Sequence, residues 1–167
     1  EAVLHGHPAV RDCAVFGVIE LTGKPGMLNA GYRIEGNDLA GQFAAPRLAY
    51  AKLFGPVNVK LIWSSAFKVP TVMNLNYGPG DGALKSELAT TKEAELGVRL
   101  AKIISITVNA YDTRIKNPIS VVYDPVTEQR YANRDAAGTT GLDARLSLGS
   151  KRTTVLAGYG LNRPVSQ

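Results

Sequence analysis

The stretch LHGHPAVRDC sets His5 and His7 at His-x-His spacing, with Cys13 a few residues on. Two imidazoles and a thiol can begin a zinc site, but zinc asks for three or four converging ligands. No carboxylate or thiol cluster elsewhere completes that set, so no metal is expected. One cysteine excludes an internal disulfide and a multi-cysteine zinc site. Flanked by Asp12 and Ala14 and leading into AVFGV, Cys13 reads as a small apolar residue. SSAFK carries Ser65 and Lys68 at the Ser-x-x-Lys spacing of some acyl enzymes. That nucleophile needs a helix start and further partners, whereas Ser65 ends a strand-like run and Val69-Pro70 follows. YGPGDG, 77 to 82, is glycine-rich but lacks the Lys-Ser/Thr ending and the helix of a phosphate cradle, so it reads as a turn. Both histidines lie near one terminus, which leaves no Ser-His-Asp set. No catalytic residue and no cofactor are expected, and the chain does not read as an enzyme.

The other chemistry-bearing residues are charged and recur on one side of alternating runs. Arg33, Lys60, Glu93, Glu95, Arg99, Asp143 and Arg145 fall on polar faces. Lys68, Tyr77, Lys116, Tyr123 and Arg130 fall in long connections. The runs that position the first group have period two, and helical periodicity is nearly absent. MLNAGYRI (27 to 34) sets Leu28, Ala30, Tyr32 and Ile34 against Asn29, Gly31 and Arg33. VNVKLIWS, EAELGVRL, IISITVNAY and GLDARLSL repeat the pattern, and TTVLAGYG does so more weakly. Less regular runs at about 13 to 20 and 46 to 53 complete eight expected strands.

The connections alternate in length. They are short at 21 to 26, 54 to 56, 101 to 102 and 149 to 152, and long at 35 to 45, 65 to 92 and 113 to 140. If successive strands are antiparallel neighbours, all short turns lie at one end and all long loops at the other. Dyad alternation with one-sided loops is the pattern of an outer-membrane β-barrel. Lipid cannot hydrogen-bond a backbone, so a sheet in lipid closes on itself and turns its apolar side outward. A soluble sandwich also alternates, but its loops need no sidedness. Aromatics make up only 7%, thin for two interfacial girdles, although Trp63, Tyr32, Tyr50, Tyr111 and Tyr159 lie in or near strands.

Composition agrees with a single β domain. Apolar residues at 45% and charged ones at 20% exclude a disordered chain, and no window holds the roughly 18 apolar residues of a membrane helix. EAVLHGHPAV has no basic segment before an apolar run, so it does not read as a secretory signal. The net charge of +5 is spread along the chain without a basic block, and no nucleic-acid partner is expected.

Several segments, in order, resemble the barrel of TonB-dependent outer-membrane receptors. AGYR (30 to 33) is similar to a strand ending in Gly-x-Arg, and APRLAYAK (45 to 52) to a Ser-Pro-Arg-Leu strand opening. SSAFKVPTVMNLNYG (64 to 78) is similar to Gly-Phe-Arg-Ala-Pro-Thr with a following Glu-Leu-Tyr. ALKSE and EAELGVR are similar to Asn-Pro-x-Leu-Lys-Pro-Glu followed by Tyr-Glu-Leu-Gly. ITVNAYDTRIKNPI and YANRDAAGTTGLDARLSL resemble the next strands. Ser86 stands where Pro is usual, Lys68 where Arg is usual and Asp143 where Glu is common. The first 18 residues are also similar to a helix-strand element of AMP-forming acyl-CoA ligases, but the adenylate-binding motifs and catalytic lysine region have no counterpart.

The resemblance implies an all-β fold: an antiparallel transmembrane β-barrel segment of about eight strands, with short periplasmic turns and long outer loops. It implies residence in the bacterial outer membrane and uptake of a scarce nutrient such as a ferric chelate. The partners implied are membrane lipid, a small-molecule or metal-chelate ligand, and a plug domain and TonB through parts of such receptors that have no counterpart here. Residues 13 to 160 would be partial barrel, 1 to 12 an unassigned segment and 161 to 167 a tail. Lumen-facing or ligand-binding candidates are Arg33, Lys60, Lys68, Tyr77, Glu93, Glu95, Arg99, Asp143 and Arg145. Two alternatives stand beside this one. Eight strands also make the smallest closed membrane barrel, with a binding or anchoring role, and a soluble β-domain alternates similarly.

Overall fold

The computed structural model describes residues 12–37, 41–78, 84–101, 103–124, 128–149 and 152–166. His5 and His7 lie outside them. The chain forms β1 (Asp12–Gly23), β2 (Gly26–Asn37), β3 (Gly41–Phe54), β4 (Val57–Lys68), helix α1 (Val72–Asn76), β5 (Glu87–Ala101), β6 (Ile104–Lys116), β7 (Ile119–Asp124), β8 (Glu128–Asn133), β9 (Ala137–Gly149) and β10 (Thr154–Ser166). Eight strands build one antiparallel sheet in the order β1-β2-β3-β4-β5-β6-β9-β10, and β7 and β8 pair separately.

The ladder pairings convert the alternating runs into continuous rows. On one face, Leu61, Ala94, Ala110, Leu142 and Leu161 stand side by side across β4, β5, β6, β9 and β10. The next row is Val59, Leu96, Val108, Ala144 and Tyr159, and the next is Val57, Val98, Ile106, Leu146 and Ala157. Strand period two makes this arrangement all-or-none: a one-residue slip in any strand would carry its whole apolar set to the other face. These rows have nothing packed over them. Among the described residues no apolar side chain is buried, and Leu61, Leu96, Leu142, Tyr159 and Leu161 are all exposed. A soluble sheet of this size covers one face with a second layer; here the apolar face is open along its length.

Four expectations change. The stretch 35 to 45 is not a long loop. β2 and β3 continue through it as a ladder from Ile34–Ala44 to Asn37–Gly41. Backbone pairing carries this extension where the sequence has no apolar run. The sheet does not close. β1 and β10 are its two edges and no ladder joins them among the described residues, so the self-contained eight-stranded barrel does not form. The long connection 113 to 140 contains a hairpin of its own, β7–β8. Finally, β10 runs to Ser166 through residues expected to be a tail, with Arg163, Pro164 and Val165 paired to Thr140, Thr139 and Gly138.

The short turns carry local locks. Gly26 has φ +130°, and a Cβ there would meet the Ala51 carbonyl at 2.7 Å and the Tyr50 ring at 2.9 Å. The same tyrosine donates its hydroxyl to the Pro25 carbonyl at 2.6 Å, pinning the first turn from the third strand. At the β3–β4 turn Gly55 takes φ +61°, open to glycine at no steric cost.

Candidate functional site

The face opposite the apolar rows gathers the charged candidates. One row runs Lys60, Glu95, Asn109, Asp143, Gly160, and the next runs Asn58, Gly97, Thr107, Arg145, Gly158. A third runs Ile62, Glu93, Tyr111, Gly141, Asn162, and Arg99 faces Ser105 and then Ser147. Neighbouring strands lie about 4.8 Å apart, so Lys60 and Asp143 are about 14 Å apart along one row. Seven of the nine candidates therefore lie within this wall, since Arg33 also stands on this face, opposite Phe16 and Ala45, and Lys68, opposite Glu87, has the same parity at its long-loop end.

These charges do not neutralise one another. Among the described residues no ion pair joins Lys60, Glu93, Glu95, Arg99, Asp143 or Arg145. Glu95 accepts a long bond of 3.5 Å from the Asn58 amide, and the buried Asn109 Oδ1 has no hydrogen-bond partner. Glu95, Thr107, Asn109, Asp143, Arg145, Gly158 and Gly160 line an open depression of about 390 Å³. Its floor is low because β10 contributes two glycines where side chains would otherwise stand. An unpaired polar row in a half-buried groove is poised to take hydrogen bonds and charge from something laid against it.

Tyr111 belongs to this wall. As a strand aromatic it is a candidate for an interfacial girdle, but its parity turns it to the charged face, where its hydroxyl meets Asn162 Oδ1. Its ring lies over Gly141, where a Cβ would sit 2.5 Å from Tyr111 Cζ. The Gly141 gap lets the phenol cross β9 to reach β10. Arg33 is held differently. It pairs with Glu35 and lies 5.4 Å from the centroids of both the Phe16 and Phe67 rings. Phe67 in turn stacks on Phe43 at 4.9 Å. Cation–π contact on two sides makes Arg33 a packing cation as well as a charged one.

The two remaining candidates lie at the long-loop end. Lys68 is the last residue of β4 and pairs with Glu87 at 3.2 Å. Ser65 is inside β4 and donates to the Ala89 carbonyl at 3.3 Å, so the Ser-x-x-Lys spacing falls on a strand. Tyr77 caps α1 and is exposed. Its carbonyl accepts from Tyr131 N at 2.7 Å, tying α1 to β8. Glu87 also accepts from Ile119 N at 2.9 Å, and Asn133 bonds Lys85 N, Lys85 O and Asn117 O at 2.7, 2.9 and 2.7 Å. The two long connections are thereby stitched to one another, with Lys116 ending β6 and Tyr123 and Arg130 on the β7–β8 hairpin. The Thr71–Asn74 capping box starts α1. That box for α1, and the β-branched run ISVV (119 to 122) for β7, are the signals in the sequence for these elements.

A family model described as TonB dependent receptor-like, beta-barrel matches residues 13–166. The chain belongs to this family of barrel receptors. No curated protein matches the sequence significantly. Among solved structures, the siderophore receptor PirA from Pseudomonas aeruginosa superposes with a TM-score of 0.76 at 22% identity, covering 92% of this chain and 32% of that one. The siderophore receptor PirA from Acinetobacter baumannii gives a TM-score of 0.76 at 15% identity, with 90% and 27% covered. The FrpB iron transporter from Neisseria meningitidis gives 0.71 at 13%, with 92% and 25% covered. The chain thus spans a third or less of the length of these structures, and the likeness shows the fold. An open sheet with an uncovered apolar face and a polar face is what an arc of such a barrel presents.

Proposed function

We propose that this chain forms part of the wall of a TonB-dependent receptor in the bacterial outer membrane, which takes up a scarce nutrient such as a ferric chelate. The observation that carries this reading is the division of one uncovered sheet into an apolar face and an ionic face, with long connections at one end only. The apolar rows face lipid. The ionic wall faces the lumen, where Lys60, Glu95, Asn109, Asp143 and Arg145 meet a plug domain supplied by other sequence. Tyr77, Lys68 and the stitched loops stand at the outer mouth, on the ligand's path. Transport of this kind draws its energy through TonB, so the wall itself does no bond-making chemistry.

The test uses the complete protein in cells. Fractionation is expected to place it in the outer membrane, and its deletion to abolish uptake of radioactive iron offered as one of a panel of ferric chelates. Collapse of the proton-motive force is expected to stop the same uptake. Recovery of the protein in the soluble fraction, or uptake of every chelate unchanged by deletion, would overturn the reading.

A further inference from the structure

The apolar face ends abruptly toward the long-loop side. The row Leu61, Ala94, Ala110, Leu142, Leu161 is followed one rung out by Trp63, Lys92, Asp112, Thr140 and Arg163. One rung further out Arg114 stands on β6, and beyond it Lys116 stands beside Leu88. The charges on this outward face are unbalanced. Asp112 is engaged by Arg114, Nε to Oδ1 at 2.6 Å. Lys92, Lys116 and Arg163 are exposed and have no ion-pair partner among the described residues. The carboxylates of β5, Glu87, Glu93 and Glu95, all have the opposite parity and face the other way. The inner wall thus mixes acids with cations, whereas the rim beyond the apolar band sets four cations, Lys92, Arg114, Lys116 and Arg163, against the single carboxylate of Asp112.

We infer that this rim, built around Lys92, Arg114, Lys116 and Arg163, docks the phosphate headgroups of anionic lipid. The inference rests on the membrane reading above. Charge is costly within hydrocarbon, so the first charged row marks where headgroups begin. Basic side chains at that level attract anionic headgroups. Trp63 on the same rung fits the aromatic preference for this boundary. The Arg114 stem lies across Gly138, where a Cβ would sit 3.0 Å from Arg114 Cδ, and its guanidinium offsets Asp112, the one carboxylate of the rim. A zwitterionic headgroup balances its phosphate with its own cation, whereas an anionic headgroup brings an uncompensated phosphate charge to the three cations that the protein leaves without an ion-pair partner.

The complete receptor would be placed in nanodiscs of phosphatidylcholine, with or without phosphatidylglycerol, and its thermal unfolding followed. The wild type is expected to gain several degrees with the anionic lipid, by preferential binding to the folded state. Lys92→Gln, Lys116→Gln and Arg163→Gln combined should lose that gain while matching the wild type in pure phosphatidylcholine. Lys60→Gln, on the inner wall, should keep it. An equal gain in wild type and triple variant would overturn the inference, as would a gain reproduced by free inorganic phosphate. A receptor that does not enter discs as a folded sheet would sink the membrane reading itself, a result readable before any lipid is compared.

Discussion

Val108 and Asn109 are neighbours in sequence and stand on opposite faces of the sheet. Val108 stands between Leu96 and Ala144 on the apolar face, and Asn109 stands between Glu95 and Asp143 on the ionic one. Arginine at position 108 would hold a guanidinium at lipid depth, so Val108→Arg is expected to lower the stability of the complete receptor by roughly 2–4 kcal/mol. Asn109→Arg places the same cation between two carboxylates and should change stability by less than about 1 kcal/mol, because the wall there is wet and acidic. Urea unfolding in lipid vesicles reads both, and equal costs would contradict the assignment of faces. Gly141 makes a second residue-scale test. Its missing side chain is the space the Tyr111 ring occupies on the way to Asn162. Gly141→Val should cost about 1–3 kcal/mol by overpacking, and a Tyr111→Ala background should recover most of that loss.

At the level of elements, the outer hairpin depends on few contacts that are not its own. Asn133 supplies three of the hydrogen bonds that dock β7–β8 against the β4–β5 connection and the end of β6. Asn133→Ala should release the hairpin at a cost of about 1–3 kcal/mol. Amide exchange across residues 119 to 133 would then rise tenfold or more while the membrane-facing strands keep their protection. Unchanged exchange would mean the β7–β8 ladder holds alone. The same elements mark how far the sequence could be read. Strands such as 141 to 148 were legible because one face is uniformly apolar, and period two then fixes both existence and facing. The extensions at 87 to 92, 35 to 37 and 41 to 45 were not, because beyond the apolar rows polarity no longer alternates. α1 was missed for a related reason: five residues are too few for a helical stripe, and only the Thr71–Asn74 cap announced it. Among the candidate residues, facing was readable from parity. The company Arg33 keeps was not, since Phe16, Phe43 and Phe67 come from three other strands.

For the whole molecule the decisive quantity is what covers the sheet. No apolar side chain is fully buried among the described residues, so the rows from Val57 to Leu161 gain only the partial shielding that their cross-strand neighbours give. Both edges compound this. β1 and β10 are 12 and 13 residues long, and each leaves a line of backbone donors and acceptors unpaired. In hydrocarbon every such group costs several kcal/mol, so in a membrane both edges must find strand partners and the arc must be completed into a ring. In water the same edges template association between chains. The 167-residue chain on its own is therefore expected to give no monodisperse β-rich monomer in plain buffer, with sedimentation showing aggregates or circular dichroism showing lost sheet. A stable folded monomer without detergent would require the apolar face to be tolerated by water. That outcome would favour a soluble β-domain over a barrel wall, and it would remove the basis for placing lipid against Val108 or phosphate against Lys92.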